Sequence, residues 1–134
     1  MVTTTTHWKK EHQFESEHLG NKIQIDGDNK EGHGPKALLL SGLAGCSGID
    51  VVDILGKMRV PFSNFSMQVN AELTDEQPKV YAEIKIIYML DAAIDNKEKI
   101  EKAIDLSLEK YCGVAAMLSK TASISYSLII TPLP

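Results

Sequence analysis

Residues 34–55 read GPKALLLSGLAGCSGIDVVDIL, an apolar stretch rich in small side chains with Cys46 near its middle. Pro35 suits the first turn of a helix, and Pro61 excludes helical geometry from the residue before it. We therefore predict one long helix that starts near Pro35 and stops near Arg59. Its glycines and serines are poor helix formers, so their expected use is the close approach of another backbone, which predicts a central, buried helix.

Segments of alternating apolar and polar residues flank this helix on both sides and predict strands. The predicted elements are a strand over 7–18, a short strand at 23–25, and a hairpin of strands 65–73 and 80–90. They continue with a helix capped by Asp95 or Asn96 and interrupted at Gly113, a further helical piece over 114–120, and a last strand over 124–130. The order β-β-α-β-β-α-β predicts an α+β fold, and the length predicts a single domain over residues 1–134. The first helix is too apolar for one small sheet to cover. Either the second helix and a sheet sandwich this helix between them, or a second subunit covers it.

Charge and composition exclude several classes of function. The net charge is −4 and Arg59 is the single arginine, so no nucleic-acid surface is predicted. The N-terminus lacks the basic and apolar regions of a signal peptide. Asp50 and Asp53 interrupt the apolar stretch, so we predict a core helix of a cytoplasmic protein rather than a membrane span. In that compartment Cys46 and Cys112 are thiols at rest.

The two cysteines leave two interpretations open. Free cysteines pack as small hydrophobic residues, so both thiols suit an inert core. A catalytic thiol instead needs its pKa lowered from about 8.5 to about 6, which amounts to about 3.4 kcal/mol. Cys46 lies too far into its helix for the helix N-terminus to supply this. One cation at about 4 Å would supply roughly 4 kcal/mol at an effective dielectric of 20.

Residues 35–46, PKALLLSGLAGC, and residues 111–115, YCGVA, together resemble the OsmC/Ohr family of osmotically inducible and organic-hydroperoxide-resistance proteins. The resemblance implies an intertwined homodimer with two central helices wrapped by curved antiparallel sheets. It also implies a thiol-dependent peroxidase in which Cys46 is the nucleophile and Cys112 the resolving thiol. An organic hydroperoxide is the implied substrate, and a cellular dithiol restores the pair.

The chain departs from the family pattern at the residues that normally activate the nucleophile. The family's peroxidases place a glutamate after the helix-opening proline, where this chain has Lys36, and hold an arginine near the thiolate, whereas this chain has no arginine before Arg59. The ammonium groups of Lys36 and Lys10 are the candidate replacements, although Lys36 lies about 15 Å from Cys46 along the helix axis. The alternative interpretation is therefore a non-catalytic dimer of the same fold, either a small-molecule-binding protein or a stress-associated protein.

The remaining polar residues carry weaker signals. Asp50 lies one helical turn after Cys46, and either hydrogen bonds to another helix or orients a cation near the thiol. The histidines and cysteines lack the compact spacing of metal ligands, so no metal or cofactor is predicted. The sequence DGDN at residues 26–29 is predicted to be a turn, since it lacks the later glutamate of a calcium loop.

Overall fold

The structure is a computed structural model and describes residues 1–133. The chain forms two compact units, Met1–Ser41 and a second unit that starts at Gly42. The elements in chain order are β1 (Thr5–Lys10), β2 (Gln13–His18), β3 (Asn21–Asp26), α1 (Pro35–Lys57), β4 (Ser63–Leu73), β5 (Tyr81–Asp91), α2 (Lys97–Leu106), α3 (Gly113–Leu118) and β6 (Ser123–Thr131).

The first unit contains an antiparallel sheet in the order β1-β2-β3. The prediction of one strand over 7–18 is wrong, because the chain reverses at Glu11, whose φ is 49°. The pattern misled because Trp8 pairs directly with Phe14 across the two strands. Directly paired residues share a face of the sheet, so the alternation continues through the turn as though the strand did.

The loop between β3 and α1 is organised by the buried carboxylate of Asp26. Its oxygens accept the backbone N–H groups of Asp28 at 2.8 Å, Glu31 at 3.0 Å and Lys30 at 3.3 Å. These hydrogen bonds, that of Asp28 foremost, lower the pKa of Asp26 because they favour the charged form. The predicted turn at 26–29 is confirmed, and its carboxylate serves the backbone that leads to α1.

The second unit contains a sheet in the order β4-β5-β6. The hairpin of β4 and β5 is confirmed as antiparallel. β6 pairs parallel to β5, however, so this sheet is mixed rather than antiparallel throughout as predicted. The connection from β5 to β6 contains α2 and α3, and a helical crossover of this length returns the chain in the direction in which it left.

Helix α1 ends two residues before the predicted stop. Arg59 has a φ of 58°, which ends helical geometry, and the Val60 N–H donates to the Leu55 carbonyl at 3.0 Å. Helix α1 is long enough and, with a mean hydropathy of 1.7 over its most apolar part, apolar enough to cross a membrane. Core helices of soluble proteins pass the same test, and the fully buried Leu43 and Leu55 place one face of α1 in the core.

The core of the second unit lies between that face of α1, the central strand β5 and α2. Strand β5 buries alternate residues and α2 buries residues three and four apart, as both patterns predict. The buried side chains of these two elements are Tyr81 at the start of β5 and, from there on, Ile84, Ile86, Tyr88, Leu90, Ile100, Ala103 and Ile104. The opposite face of α1 keeps Ile49 and Val52 exposed by 65% and 44%. The single chain therefore buries only one face of the helix that was predicted to be central and buried.

Candidate functional site

Both cysteines lie in the second unit, and both are free thiols. Cys46 lies in the middle of α1 and is partly exposed, whereas Cys112 is only 3% exposed. The side chain of Cys46 contributes to the raised pKa of Cys112, so the two thiols lie near enough for the one to influence the other. The fold thus brings together two residues that are 66 positions apart in the sequence.

Cys112 is the point at which the second helical segment breaks. After α2 the helix widens to a π-helical turn, Ser107–Tyr111, and the Cys112 N–H donates to the Ser107 carbonyl at 2.7 Å. Cys112 itself is extended, with φ −76° and ψ 103°, and its sulfur accepts the Ala115 N–H at 3.3 Å. The predicted break at Gly113 is therefore one residue late. The cysteine caps α3 and Gly113 is the first residue of that helix.

The surroundings of Cys112 hold it as a neutral thiol. Burial, foremost, and the neighbouring Cys46 raise the pKa of Cys112 from 9.0 to about 11. The Ala115 N–H opposes this shift because it favours the thiolate, while the charge of Asp50 adds to it. At pH 7 only about one Cys112 side chain in ten thousand is then ionised.

A chain of four polar side chains runs through the core beside the thiols. The Tyr88 hydroxyl lies 2.6 Å from Ser47 Oγ, which lies 2.8 Å from Ser107 Oγ, and Ser107 Oγ donates to Asp50 Oδ2 at 3.0 Å. Tyr88, Ser47 and Ser107 are each fully buried. Among the residues from 1 to 133, no buried side-chain nitrogen or oxygen is left without a hydrogen-bond partner.

The Ser107 hydroxyl is a donor within this chain. It has one proton and two short acceptors, Asp50 Oδ2 and Ser47 Oγ. In the bond between Ser47 and Tyr88, either hydroxyl can donate. Burial raises the pKa of Tyr88 to about 12, which keeps its hydroxyl protonated at neutral pH. The interpretation of Asp50 as a partner for another helix is confirmed by its bond to Ser107.

Sequence reasoning missed Ser47, Ser107 and Tyr88 as members of the site. Each of them stands at a position that the periodicity assigns to the buried face of its own element, and each carries a hydroxyl. A buried hydroxyl requires a partner, so three of them on elements predicted to pack together form a usable signal. The sequence does not show which hydroxyl bonds to which, because the bonded partners are separated by 41 positions in one case and by 60 positions in the other.

Two surface clefts border the same part of α1. One, of about 370 Å³, is almost wholly apolar and is lined by Gly45, Gly48, Ile49, Val52, Asp53, Phe65 and Met67. The other, of about 600 Å³, is lined by Asp50, Asp53, Ile54, Lys57, Met58, Lys102, Leu106 and Tyr111. Lys57 and Lys102 line the second cleft together with Asp50, and neither lysine was singled out from the sequence.

The two cations singled out from the sequence are Lys10 and Lys36. Lys10 ends β1 and Lys36 is in the first turn of α1, so both belong to the first unit, and both are exposed. Their role beside Cys46 stays a prediction.

The family model described as "OsmC-like protein" matches residues 27–127, which include both cysteines and the whole hydrogen-bond chain. The chain belongs to the OsmC family. The OsmC match runs across the boundary between the two compact units. Protein YhfA of Escherichia coli K12 is 33% identical over 109 residues, which is 81% of each chain.

Solved structures of OsmC-like proteins share the fold. A hypothetical protein from Aquifex aeolicus VF5 has 27% identity and a TM-score of 0.89, covering 100% of this chain and 98% of its own. The organic hydroperoxide resistance protein OhrB of Bacillus subtilis has a TM-score of 0.64 at 12% identity, with coverage of 96% and 97%. At that identity the likeness shows the fold alone, and the predicted α+β OsmC-like fold is confirmed.

Proposed function

We propose that this OsmC family protein is a thiol-dependent peroxidase that reduces organic hydroperoxides, with Cys46 as nucleophile and Cys112 as resolving thiol. The observation that carries the proposal is the meeting of a partly exposed thiol and a buried thiol in one core. An inert pair of core cysteines would not require one of them to be open to solvent.

The difference between the two thiols supports the division of roles. The Cys46 thiolate attacks the peroxide, so that its sulfur becomes a sulfenic acid and the peroxide leaves as an alcohol. The Cys112 sulfur then attacks the Cys46 sulfur, the S–S bond forms, the S–O bond breaks, and the Cys112 proton leaves with the hydroxyl as water. A dithiol reduces the disulfide and is itself oxidised. Cys112, buried and neutral, suits the second step only.

The substrate class is proposed from the apolar cleft beside Cys46. Gly45, Ile49 and Val52 of α1 line it together with Phe65 and Met67 of β4. Such a wall favours a hydrocarbon substituent over a small polar peroxide.

The same exposed face of α1 supports a homodimer. Ile49 and Val52 are exposed by 65% and 44% in the single chain, and apolar surface of this kind marks an interface. We propose that a second copy covers it, that residues 1–134 form one OsmC-like domain, and that the protein works in the reducing cytoplasm, where its two thiols are maintained.

Activation of Cys46 is proposed to come from a lysine. Lys10 and Lys36 are the candidates from the sequence, and the cleft that contains Asp50 adds Lys57 and Lys102. One cation near the thiolate would supply the stabilisation that a nucleophile needs. Changing each lysine in turn to methionine, which keeps the length of the side chain, would identify the one that is used.

The proposed function is tested by a peroxidase assay with cumene hydroperoxide and hydrogen peroxide, several dithiol reductants, and the variants Cys46→Ser and Cys112→Ser. We expect turnover with cumene hydroperoxide that Cys46→Ser abolishes. Cys112→Ser should still consume about one peroxide per chain but fail to cycle with a dithiol. Equal turnover by wild type and Cys46→Ser, or a clear preference for hydrogen peroxide, would reject the proposal.

One observation favours a non-catalytic, small-molecule-binding or stress-associated dimer as the second candidate. The chain has Lys36 where the resembling peroxidases have glutamate, and it has no arginine before Arg59. Alkylation separates the two candidates. Rapid alkylation of Cys46 at pH 7 that is lost in one lysine variant supports the peroxidase, and slow alkylation in every variant supports the binding protein.

A further inference from the structure

We propose that Ser107 is the positioning residue of the thiol pair, because its two polar groups hold the Cys46 helix and the Cys112 backbone to each other. The inference rests on the proposed pairing of Cys46 with Cys112. It adds a residue whose role is to set how readily those two sulfurs form their disulfide.

The side chain of Ser107 is bound to α1 at two points. Its hydroxyl lies 2.8 Å from Ser47 Oγ and donates to Asp50 Oδ2 at 3.0 Å. These partners follow Cys46 by one and four positions, so they belong to the helical turn that begins at the nucleophile. A displacement of α1 against this point would move the Cys46 sulfur with it.

The backbone of Ser107 is bound to the other thiol residue. Its carbonyl accepts the Cys112 N–H at 2.7 Å, the bond that closes the π-helical turn. In a regular α-helix this N–H would donate to the residue four positions earlier. The wider turn instead directs it five positions back, to the residue whose side chain already holds α1. Single π-helical turns occur often at functional sites.

The burial of the chain makes the arrangement stiff. Ser107 and Ser47 are fully buried, so no water competes for their hydroxyls, and a buried polar network that is fully satisfied rigidifies its surroundings. Tyr88 extends the network into β5 through Ser47. The Tyr88 hydroxyl is hydrogen-bonded to Ser47 and not to Ser107 or Cys112, so Tyr88 contributes only indirectly to the position of the thiols.

The structure therefore ranks the variants. Ser107→Ala removes every side-chain tie, Ser47→Ala leaves the Asp50 carboxylate and the Ser47 carbonyl as partners of Ser107, and Tyr88→Phe leaves all of them. Ser107→Ala and Ser47→Ala each break two short side-chain hydrogen bonds and Tyr88→Phe breaks one, so stability alone predicts similar effects for the two serine variants. A merely structural role would make the effect on the disulfide follow stability. A positioning role makes it follow the order Ser107, Ser47, Tyr88.

The experiment is a redox titration of the full chain with reduced and oxidised glutathione, read by mass spectrometry after alkylation of the remaining thiols. We expect the effective concentration of the thiol pair to fall roughly ten- to a hundredfold in Ser107→Ala, since displacements of about 1 Å have effects of that size. A tenfold fall raises the reduction potential by about 30 mV. Ser47→Ala should lie between, and Tyr88→Phe should stay near wild type.

Ser119→Ala is the matched control, because Ser119 is exposed and donates only to the Ala116 carbonyl within its own segment. The effective concentration of the thiol pair in this variant should equal that in the wild type. If Ser107→Ala does not fold, the comparison of Ser47→Ala with Tyr88→Phe carries the test.

Wild-type values in Ser107→Ala, or equal losses in Ser47→Ala and Tyr88→Phe, would overturn the inference. So would a wild-type chain that forms no internal disulfide with glutathione disulfide. The titration contains no peroxide, so failure of the peroxidase assay alone leaves this result standing on its own.

Discussion

The pKa of Cys112 gives the sharpest test of the site. The residue is 3% exposed, and burial is the foremost cause that raises its pKa from 9.0 to about 11, followed by the side chain of Cys46. At pH 8 a thiol with a pKa of 11 is about one part in a thousand ionised, against about one part in eleven at 9.0. The folded chain should therefore hold roughly a hundredfold less Cys112 thiolate than the unfolded chain at the same pH.

The assay is a titration by NMR of protein labelled with ¹³C at the cysteine Cβ. The chain has only two cysteines, so the spectrum contains two such signals, and Cys46→Ala identifies the one from Cys112. A direct titration is preferable to alkylation, because alkylation of a buried thiol can proceed through transient opening and then reports the open chain.

Cys46→Ala also tests the order of the causes. This variant removes both effects of the Cys46 side chain, hydrogen bonding and charge, and leaves burial in place. The pKa of Cys112 should therefore move down from about 11 yet stay above 9.0. Cys46→Ser keeps a hydrogen-bonding side chain and serves as the matched comparison, with a midpoint closer to that of the wild type. A Cys112 signal that titrates at or below 9.0 in the wild type would refute burial as the dominant influence on this thiol.

Three further predictions concern stability. Because the pKa of Cys112 is raised, its contribution to the free energy of unfolding is complete below pH 9.0 and is lost as the pH rises towards about 11. Urea titrations under reducing conditions should therefore show a steeper loss of stability over that range in the wild type than in Cys112→Ala. Gly48→Ala should leave stability nearly unchanged, because the gain in helix propensity is offset by the shift of Met67 Cε, which would lie 2.7 Å from the new Cβ. Gly56→Ala, which meets nothing within 4 Å, should instead stabilise by up to about 1 kcal/mol, and a reversed order in thermal unfolding would contradict this packing. Asp26→Asn should lose stability at neutral pH, and the difference from the wild type should stay constant down to about pH 3.8 and shrink as the pH falls further through the lowered pKa of Asp26. A difference that already shrinks well above pH 3.8 would count against that origin.

Local pattern decided most of the elements. Pro35 marks the first residue of α1, and the alternation along β5 and the three-four spacing along α2 both match the buried faces found. These features depend on neighbours within a few positions, which is the range over which periodicity and capping act. The resemblance of residues 35–46 and 111–115 to the OsmC/Ohr family is confirmed by the family match.

Errors arose where a local pattern had two solutions. The alternation over 7–18 fits one strand or a tight hairpin, and only the pairing of Trp8 with Phe14 distinguishes them. The break beside Cys112 could be assigned to Gly113 from propensity alone, whereas the widened turn at Ser107 shifts it to the cysteine itself.

The sequence by itself determined an α+β chain with two cysteines on two helical segments, because hydrophobic spacing and family motifs are written in consecutive residues. Long-range packing settled that β6 runs parallel to β5 and that Tyr88, Ser47, Ser107 and Asp50 form one polar chain. Such contacts depend on which buried faces meet in three dimensions, and a hydroxyl at a core position does not specify which distant partner satisfies it.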